Sequence, residues 1–125
     1  MEERHFTAEE ANQMLPLVRR IVNDILRTGR DVRNIAVESE NKPAQKELDR
    51  LMDQLDELFD ELETLGCYYK DWNFSVGLVD FPAVVNGKEV FLCWRSDEKE
   101  VQFYHDEESG FAGRRPIPQS SPSIN

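Results

Sequence analysis

Three side chains in the second half of the chain are of the types that metal sites and nucleophilic catalysts use. Asp80, Cys93 and His105 supply a carboxylate, a thiol and an imidazole. A thiol beside an imidazole can form a nucleophile with its base, and the three together can bind a metal ion such as zinc. The three residues lie far apart in sequence, so this chemistry depends on whether the fold places them on one face.

An Asn-Gly turn predicts the first strand pair around these residues. Asn86 and Gly87 lie between two apolar runs, and a two-residue hairpin turn needs positive φ at both positions, which Asn and Gly tolerate. This turn fixes the register and places Asp80 opposite Cys93. The predicted pairs are Val85 with Lys88, Ala83 with Val90, Phe81 with Leu92, Asp80 with Cys93 and Val79 with Trp94.

A second turn is predicted around Asp97 and Glu98, followed by a third strand. In the register that we predict, Cys93 projects from the outer face of the sheet and His105 from the core face, because side chains alternate along a strand. We therefore favour a buried or edge histidine and assign no metal ion and no cofactor, with a catalytic or metal site as the alternative. The predicted pairs are Trp94 with Val101, Cys93 with Gln102, Leu92 with Phe103, Phe91 with Tyr104 and Val90 with His105.

These registers sort the strands into two faces. The core face, predicted to pack on helices, collects Val79, Phe81, Ala83, Val90, Leu92, Trp94, Val101 and Phe103. The outer face mixes aromatic, apolar and polar groups, which indicates a contact surface. It collects Leu78, Asp80, Pro82, Val84, Phe91, Cys93, Arg95, Gln102 and Tyr104.

Asp80 and Arg95 are predicted to lie diagonally across adjacent strands on the outer face. We favour a salt bridge that fixes the register, since such pairs are common. The alternative is a polar pocket in which Cys93, Gln102 and Tyr104 are neighbours.

A glycine-arginine loop, residues 110–114, follows the last predicted strand. Its glycine N–H groups and Arg114 can donate hydrogen bonds to an anion. It lacks the strand-to-helix context of a phosphate-binding loop, so we favour a packed loop with Phe111 in the core. The candidate binding residues are Asp80, Cys93, Arg95, Gln102, Tyr104, His105 and Arg114.

Two helices precede the strands and must support them. Thr7 and Glu10 form a capping box, which predicts a helix over residues 7–37, although Pro16 predicts either a kink near the start or a later start at that residue. A leucine stripe that ends at Gly66 predicts a second helix over residues 43–66. The stripe consists of Leu48, Leu51, Leu55, Leu58, Leu62 and Leu65.

The link between the helices, residues 38–42, is short, so we expect an antiparallel hairpin. Gly29 is then predicted to face Leu55 and to leave room for it, with a local kink as the alternative. Helices of this length overhang a small sheet, and the overhang makes a helix-mediated homodimer possible.

Charge and hydropathy exclude several classes of protein. With 25 acidic and 15 basic side chains the formal net charge is -10, so general nucleic-acid binding is not expected. Membrane association is not expected either, because no apolar run approaches the ~18 residues that span a bilayer. The N-terminus has no apolar signal core, so we expect a cytoplasmic protein in which Cys67 and Cys93 are reduced.

The predicted architecture is a single α+β domain over residues 1–118. A long antiparallel two-helix hairpin packs on a small three-stranded antiparallel sheet over residues 77–106, and residues 107–118 form a closing loop. The polar, serine-rich residues 119–125 are expected to form a disordered tail.

Several segments resemble one known family. FTAEEANQMLPLVRRIV near the N-terminus, then GLVDFP, the Asn-Gly turn, VFLCWR and FYHDEESGFAGR, are similar to the bacterial family called domain of unknown function 2203. The resemblance extends to about Pro116 and keeps the aromatic-histidine pair Tyr104-His105, whereas the turn Ser96-Asp97-Glu98 departs slightly from the family pattern. It implies a small cytoplasmic bacterial protein and implies no particular activity.

Three functions are consistent with the sequence. The first is a non-enzymatic interaction module, for an unknown protein or small ligand, that uses the outer sheet face and the loop 110–114. The second is a metal-binding protein or an enzyme built on Asp80, Cys93, Arg95, His105 and Arg114. The third is a dimeric scaffold formed through the helices.

Overall fold

The computed structural model describes residues 4–36 and 42–118, with side chains for 4–36 and 44–118. The predicted tail, 119–125, and most of the predicted interhelical link lie outside the described residues. In chain order the elements are α1 (Ala8–Ala36), α2 (Lys42–Leu65), β1 (Tyr68–Tyr69), β2 (Leu78–Val85), β3 (Lys88–Arg95), β4 (Phe103–His105), a 3-10 turn (Phe111–Gly113) and β5 (Arg115–Pro116).

The α+β class is confirmed, but the predicted number of strands is wrong. The described strands form one five-stranded antiparallel sheet in the order β1-β2-β3-β4-β5. The two additional strands, β1 and β5, have only two residues each, and strands this short show no alternating pattern in sequence.

The helix ends follow the predicted capping chemistry. The Thr7 backbone N–H donates to Glu10 Oε1 at 2.9 Å, and the Glu10 N–H donates to Thr7 Oγ1 at 3.0 Å. α1 then continues through Pro16, so a later start at that residue is wrong. At the end of α2, Gly66 has φ 98°, and the N–H of Cys67 donates to the carbonyl of Leu62 at 3.1 Å. This is a Schellman-type end.

Both helices pack on one face of the sheet. The buried core includes Val18, Val22, Ile25, Leu55, Leu62, Val79, Phe81, Leu92 and Trp94. Gly29 faces Phe74 rather than Leu55, because a Cβ at Gly29 would overlap the Phe74 ring. The glycine thus allows the loop between β1 and β2 to approach α1 closely.

The β2–β3 register matches the prediction at every predicted pair, including Asp80 opposite Cys93. The Asn-Gly turn has the required positive φ, 54° at Asn86 and 78° at Gly87.

The β3–β4 register differs from the prediction by one residue. Cys93 pairs with Phe103 rather than Gln102, and Phe91 pairs with His105 rather than Tyr104. The connecting residues, 96–102, are held by contacts that a tight turn does not make, so β4 begins later than predicted. The Trp94 indole N–H donates to the Glu98 carbonyl at 2.9 Å, and the Val101 N–H donates to Asn12 Oδ1 on α1 at 2.6 Å.

Candidate functional site

The one-residue shift brings the three chemistry-bearing side chains together on the outer face of the sheet. Asp80 comes from β2, Cys93 from β3 and His105 from β4, and one ligand atom from each lies within 4.8 Å of the other two. All three residues are buried, with 4% or less of their surface exposed. The prediction that Cys93 and His105 occupy opposite faces is therefore wrong, and with it the geometric reason for setting a metal site aside.

Both ring nitrogens of His105 have hydrogen-bond partners. Nδ1 lies 2.7 Å from the Asp106 carbonyl oxygen, which can only accept, so Nδ1 carries a proton. Nε2 lies 3.1 Å from Asp80 Oδ1. The hydrogen bond to Asp80 raises the pKa of His105 above its ordinary value, against burial, which lowers it. When its second proton is absent, Nε2 presents a lone pair to the cluster.

The surroundings of Cys93 disfavour the thiolate form of its side chain. Burial, with a smaller contribution from the Asp80 carboxylate, raises the pKa of the Cys93 thiol to about 12. The Cys93 sulfur lies within 4.8 Å of the Asp80 and His105 ligand atoms, and His105 Nε2 is directed at Asp80. Because the thiolate is the reactive form, this environment does not favour nucleophilic catalysis. A bound cation would reverse the balance, since a metal ion stabilises the thiolate directly.

Arg114 contacts the backbone of β3 at Cys93 and the connection 96–102. Its Nη2 donates to the Cys93 carbonyl at 3.1 Å and to Glu98 Oε1 at 2.8 Å. The guanidinium carbon lies 4.2 Å from the centre of the Phe103 ring and 4.7 Å from that of Phe111. These contacts hold the backbone of β3 against the connection 96–102 and leave the guanidinium Nη2 occupied.

The remaining candidate residues do not join the cluster. Arg95 bonds bidentately to Asp97 at 2.6 and 2.8 Å, so the predicted Asp80–Arg95 pair is not formed. Gln102 is exposed, and its carbonyl oxygen accepts a hydrogen bond from the Ile117 N–H. Tyr104 packs against the hydrophobic core, because the register shift moves it to that face.

The cluster forms the buried base of a cleft of about 230 Å³. Phe111 lines this cleft and is 38% exposed, so its predicted placement in the core is wrong. The other lining residues are apolar, charged or glycine. They are Lys70, Leu78, Phe91, Glu107 and Gly110.

A second concavity lies between the helices and has no comparable chemistry. Its volume is about 520 Å³, and Leu17 and Ile21 contribute apolar surface beside the acidic residues Glu57, Asp60 and Glu61. The predicted helix-mediated dimer stays a prediction.

Comparison with protein-family models matches residues 4–117 to the uncharacterized conserved proteins of the DUF2203 family. The chain belongs to this family. The resemblance predicted from the segments of the sequence is thereby confirmed, and the match includes the whole Asp80, Cys93 and His105 cluster. No curated protein and no solved structure matches the chain. Within the ranges described, this DUF2203 chain has no helix long and apolar enough to cross a membrane.

Sequence reasoning missed two charged residues beside the cluster, Lys70 and Glu107. Lys70 follows β1, which adds to β2 by pairing Tyr68 with Asp80. Two tyrosines after the helix cap at Gly66 carry high β propensity, and this signal could have indicated an edge strand next to the site in the DUF2203 chain. Glu107 lies in the connection between β4 and β5, where no pattern predicts its position.

Proposed function

We propose that this protein binds one divalent transition-metal ion through Asp80, Cys93 and His105, and that zinc is the metal that the site suits best. The observation that carries the proposal is the mutual distance of the three ligand atoms, all within 4.8 Å, in a buried setting. Ligand atoms around tetrahedral zinc lie about 3.5 Å apart, given bonds of about 2.0 to 2.3 Å. Small side-chain movements therefore suffice to close the site around an ion.

The surroundings of His105 suit a metal ligand. A ligating histidine commonly donates its other ring N–H to a backbone carbonyl, which fixes the orientation of the ring. His105 Nδ1 has this contact with Asp106, and Nε2 faces the other two ligands. The imidazole is thus already oriented as a ligand that binds through Nε2.

The donor set also restricts the class of metal. A thiolate with an imidazole favours zinc and other borderline or soft ions over magnesium and calcium, which prefer oxygen ligands. The two negative charges of the carboxylate and the thiolate would neutralise a divalent ion. The site requires a reduced Cys93, the ordinary state of a thiol in the cytoplasm, and we place the protein there as part of the proposal.

This proposal follows the sequence-based alternative of a metal-binding protein and departs from the favoured module without a metal ion. The outer sheet face and the loop 110–114 are retained, because Cys93 and Phe111 belong to them. Arg95 is left out of the site, since it bonds to Asp97.

The test is metal uptake by the purified full chain. Protein stripped with a chelator is titrated with Zn²⁺ and with Co²⁺, metal content is measured by mass spectrometry, and the thiolate-to-cobalt band is followed in the near ultraviolet. We expect one ion per chain and a thiolate band. Cys93→Ser should abolish the band, and His105→Gln should weaken binding by at least about tenfold.

Cys67→Ser is the matched control. Cys67 is also a buried free cysteine, but its thiol contacts the Leu62 carbonyl at 3.5 Å, at the end of α2. This variant should keep both the ion and the band. A folded wild-type protein that takes up no Zn²⁺ or Co²⁺, or a Cys93→Ser variant that retains the band, would refute the metal site.

A further inference from the structure

We propose that the cleft over this metal site binds a small monocarboxylate with a compact apolar group, whose carboxylate completes the coordination of the metal ion. The inference rests on the proposed metal site, because the ligand would bind to the ion itself. It combines three considerations: the number of protein ligands that a bound ion would have, the charges of Lys70 and Glu107 in the lining, and the apolar walls.

The coordination position follows from the number of protein ligands. The cluster has three ligand residues, whereas closed structural zinc sites have four. Asp80, Cys93 and His105 all line the same cleft, so a fourth position on a bound ion would face that cleft. In sites of this kind the fourth position is taken by water or by a donor atom of a bound molecule.

The charges in the cleft favour a single negative charge on the ligand. A divalent ion with one carboxylate and one thiolate is neutral overall. Lys70 adds a positive charge at one side of the cleft, and Glu107 adds a negative charge on the same lining. An anion next to Lys70 is attracted, but a second negative charge would meet Glu107. A monocarboxylate therefore fits better than a dianion such as phosphate.

The volume and walls favour a small, partly apolar molecule. About 230 Å³ lies below the range of ~300–1,000 Å³ for drug-sized ligands and equals the liquid volume of about eight water molecules. Leu78, Phe91 and Phe111 supply the apolar wall. Phe111 is 38% exposed, so its ring has surface that a ligand's apolar group can cover.

The experiment uses the full chain loaded with Co²⁺, whose visible spectrum responds to a change in coordination, together with calorimetry of the Zn²⁺ form. The probes are acetate, benzoate and inorganic phosphate. We expect both acids to alter the cobalt spectrum. Benzoate should bind about tenfold or more tightly than acetate, because its ring is buried against the apolar wall. Phosphate should not compete with benzoate.

Two variants test residues of the cleft, and a third serves as a control. Lys70→Met should weaken benzoate binding about two- to fivefold, the effect of one exposed charge pair, and Lys99→Met, an exposed lysine outside the cleft, should not. Phe111→Ala should reduce the preference for benzoate over acetate. Metal content, measured in each sample, should stay at one ion per chain in all three variants.

The outcomes separate the two proposals. If the metal binds but neither acid alters the cobalt spectrum, the carboxylate inference is wrong and the metal site stands. If benzoate binds equally to metal-free protein, or if phosphate binds as tightly as benzoate, the inference is also wrong. If no metal binds to the folded chain, both proposals are wrong.

Discussion

The two hairpins of the sheet differ in what sets their register. β2 and β3 are joined by the two-residue turn Asn86-Gly87, whose backbone conformation determines the pairing locally. β3 and β4 are joined by residues 96–102, which are positioned by distant contacts, above all Asn12 on α1 with Val101. A register that depends on contacts from another element cannot be derived from the turn sequence alone.

This difference decides whether the chain has a site at all. A shift of one residue moves every side chain of a strand to the opposite face. In the register expected from a tight turn, His105 would lie on the core face and Gln102 would lie opposite Cys93. In the observed register His105 reaches Asp80 and Cys93, so long-range contacts to the second hairpin assemble the cluster.

The largest effect is expected from removing the ion-pair partner of His105 where the two hairpins meet. In metal-free protein at pH 6, Asp80→Ala removes the carboxylate partner of the buried His105 imidazole, which must then stay charged without a partner or release its proton. We expect a loss of about 3 to 5 kcal/mol in the free energy of unfolding, measured with urea. Asp97→Ala, which removes the exposed partner of Arg95, should have little effect. Equal effects of the two variants would show that the Asp80–His105 pair does not hold the second hairpin.

The stability of the metal-free protein should depend on pH because of the same Asp80–His105 pair. The hydrogen bond to Asp80 raises the pKa of His105 above its ordinary value of 6.5, so the folded state holds the proton more tightly than the unfolded chain. This stabilisation is complete below pH 6.5 and is lost as the pH rises through the raised pKa. The free energy of unfolding in urea, measured from pH 5 upward, should decline in the wild type. It should not decline in this way in the double variant Asp80→Asn, His105→Gln.

A smaller effect tests the long-range anchor of the second register. Asn12→Ala removes the acceptor of the Val101 N–H and should cost about 1 to 3 kcal/mol, because that buried donor loses its partner. Faster amide exchange in Phe103–His105 and weaker Zn²⁺ binding should accompany the loss, although Asn12 lies outside the cluster. Asn12→Asp keeps an acceptor oxygen, so it should retain most of the stability and most of the Zn²⁺ affinity. Unchanged exchange in β4 would show that Asn12 does not set this register.

The local turn of the first hairpin should respond differently. Gly87 has φ 78° and open space around the position of a Cβ, so Gly87→Ala strains only the backbone. We expect a cost of about 1 kcal/mol, with Zn²⁺ binding unchanged. Denaturation of a sample measures the stability cost, and metal titration of the same sample measures Zn²⁺ binding. Loss of metal binding in this variant would mean that the first hairpin is less independent than its turn indicates.

What the sequence predicted correctly was controlled by neighbouring residues. The Thr7 capping box, the Gly66 helix end and the β2–β3 register each depend on residues within a few positions. The errors came from packing between distant segments. Phe74 against Gly29, Arg114 with the Cys93 carbonyl, and Asn12 with Val101 leave no periodic signal.

The smallest expected effect compares the two cysteines in the native, metal-free protein. Burial raises the pKa of both thiols to about 12, so at pH 8 a fraction on the order of 10⁻⁴ is thiolate. Labelling with a thiol reagent, followed by mass spectrometry, should therefore be slow at both residues and fast in urea. Zn²⁺ should slow labelling of Cys93 further and leave Cys67 unaffected. Rapid native labelling of Cys93 alone would instead identify an activated thiol and favour nucleophilic catalysis over metal binding.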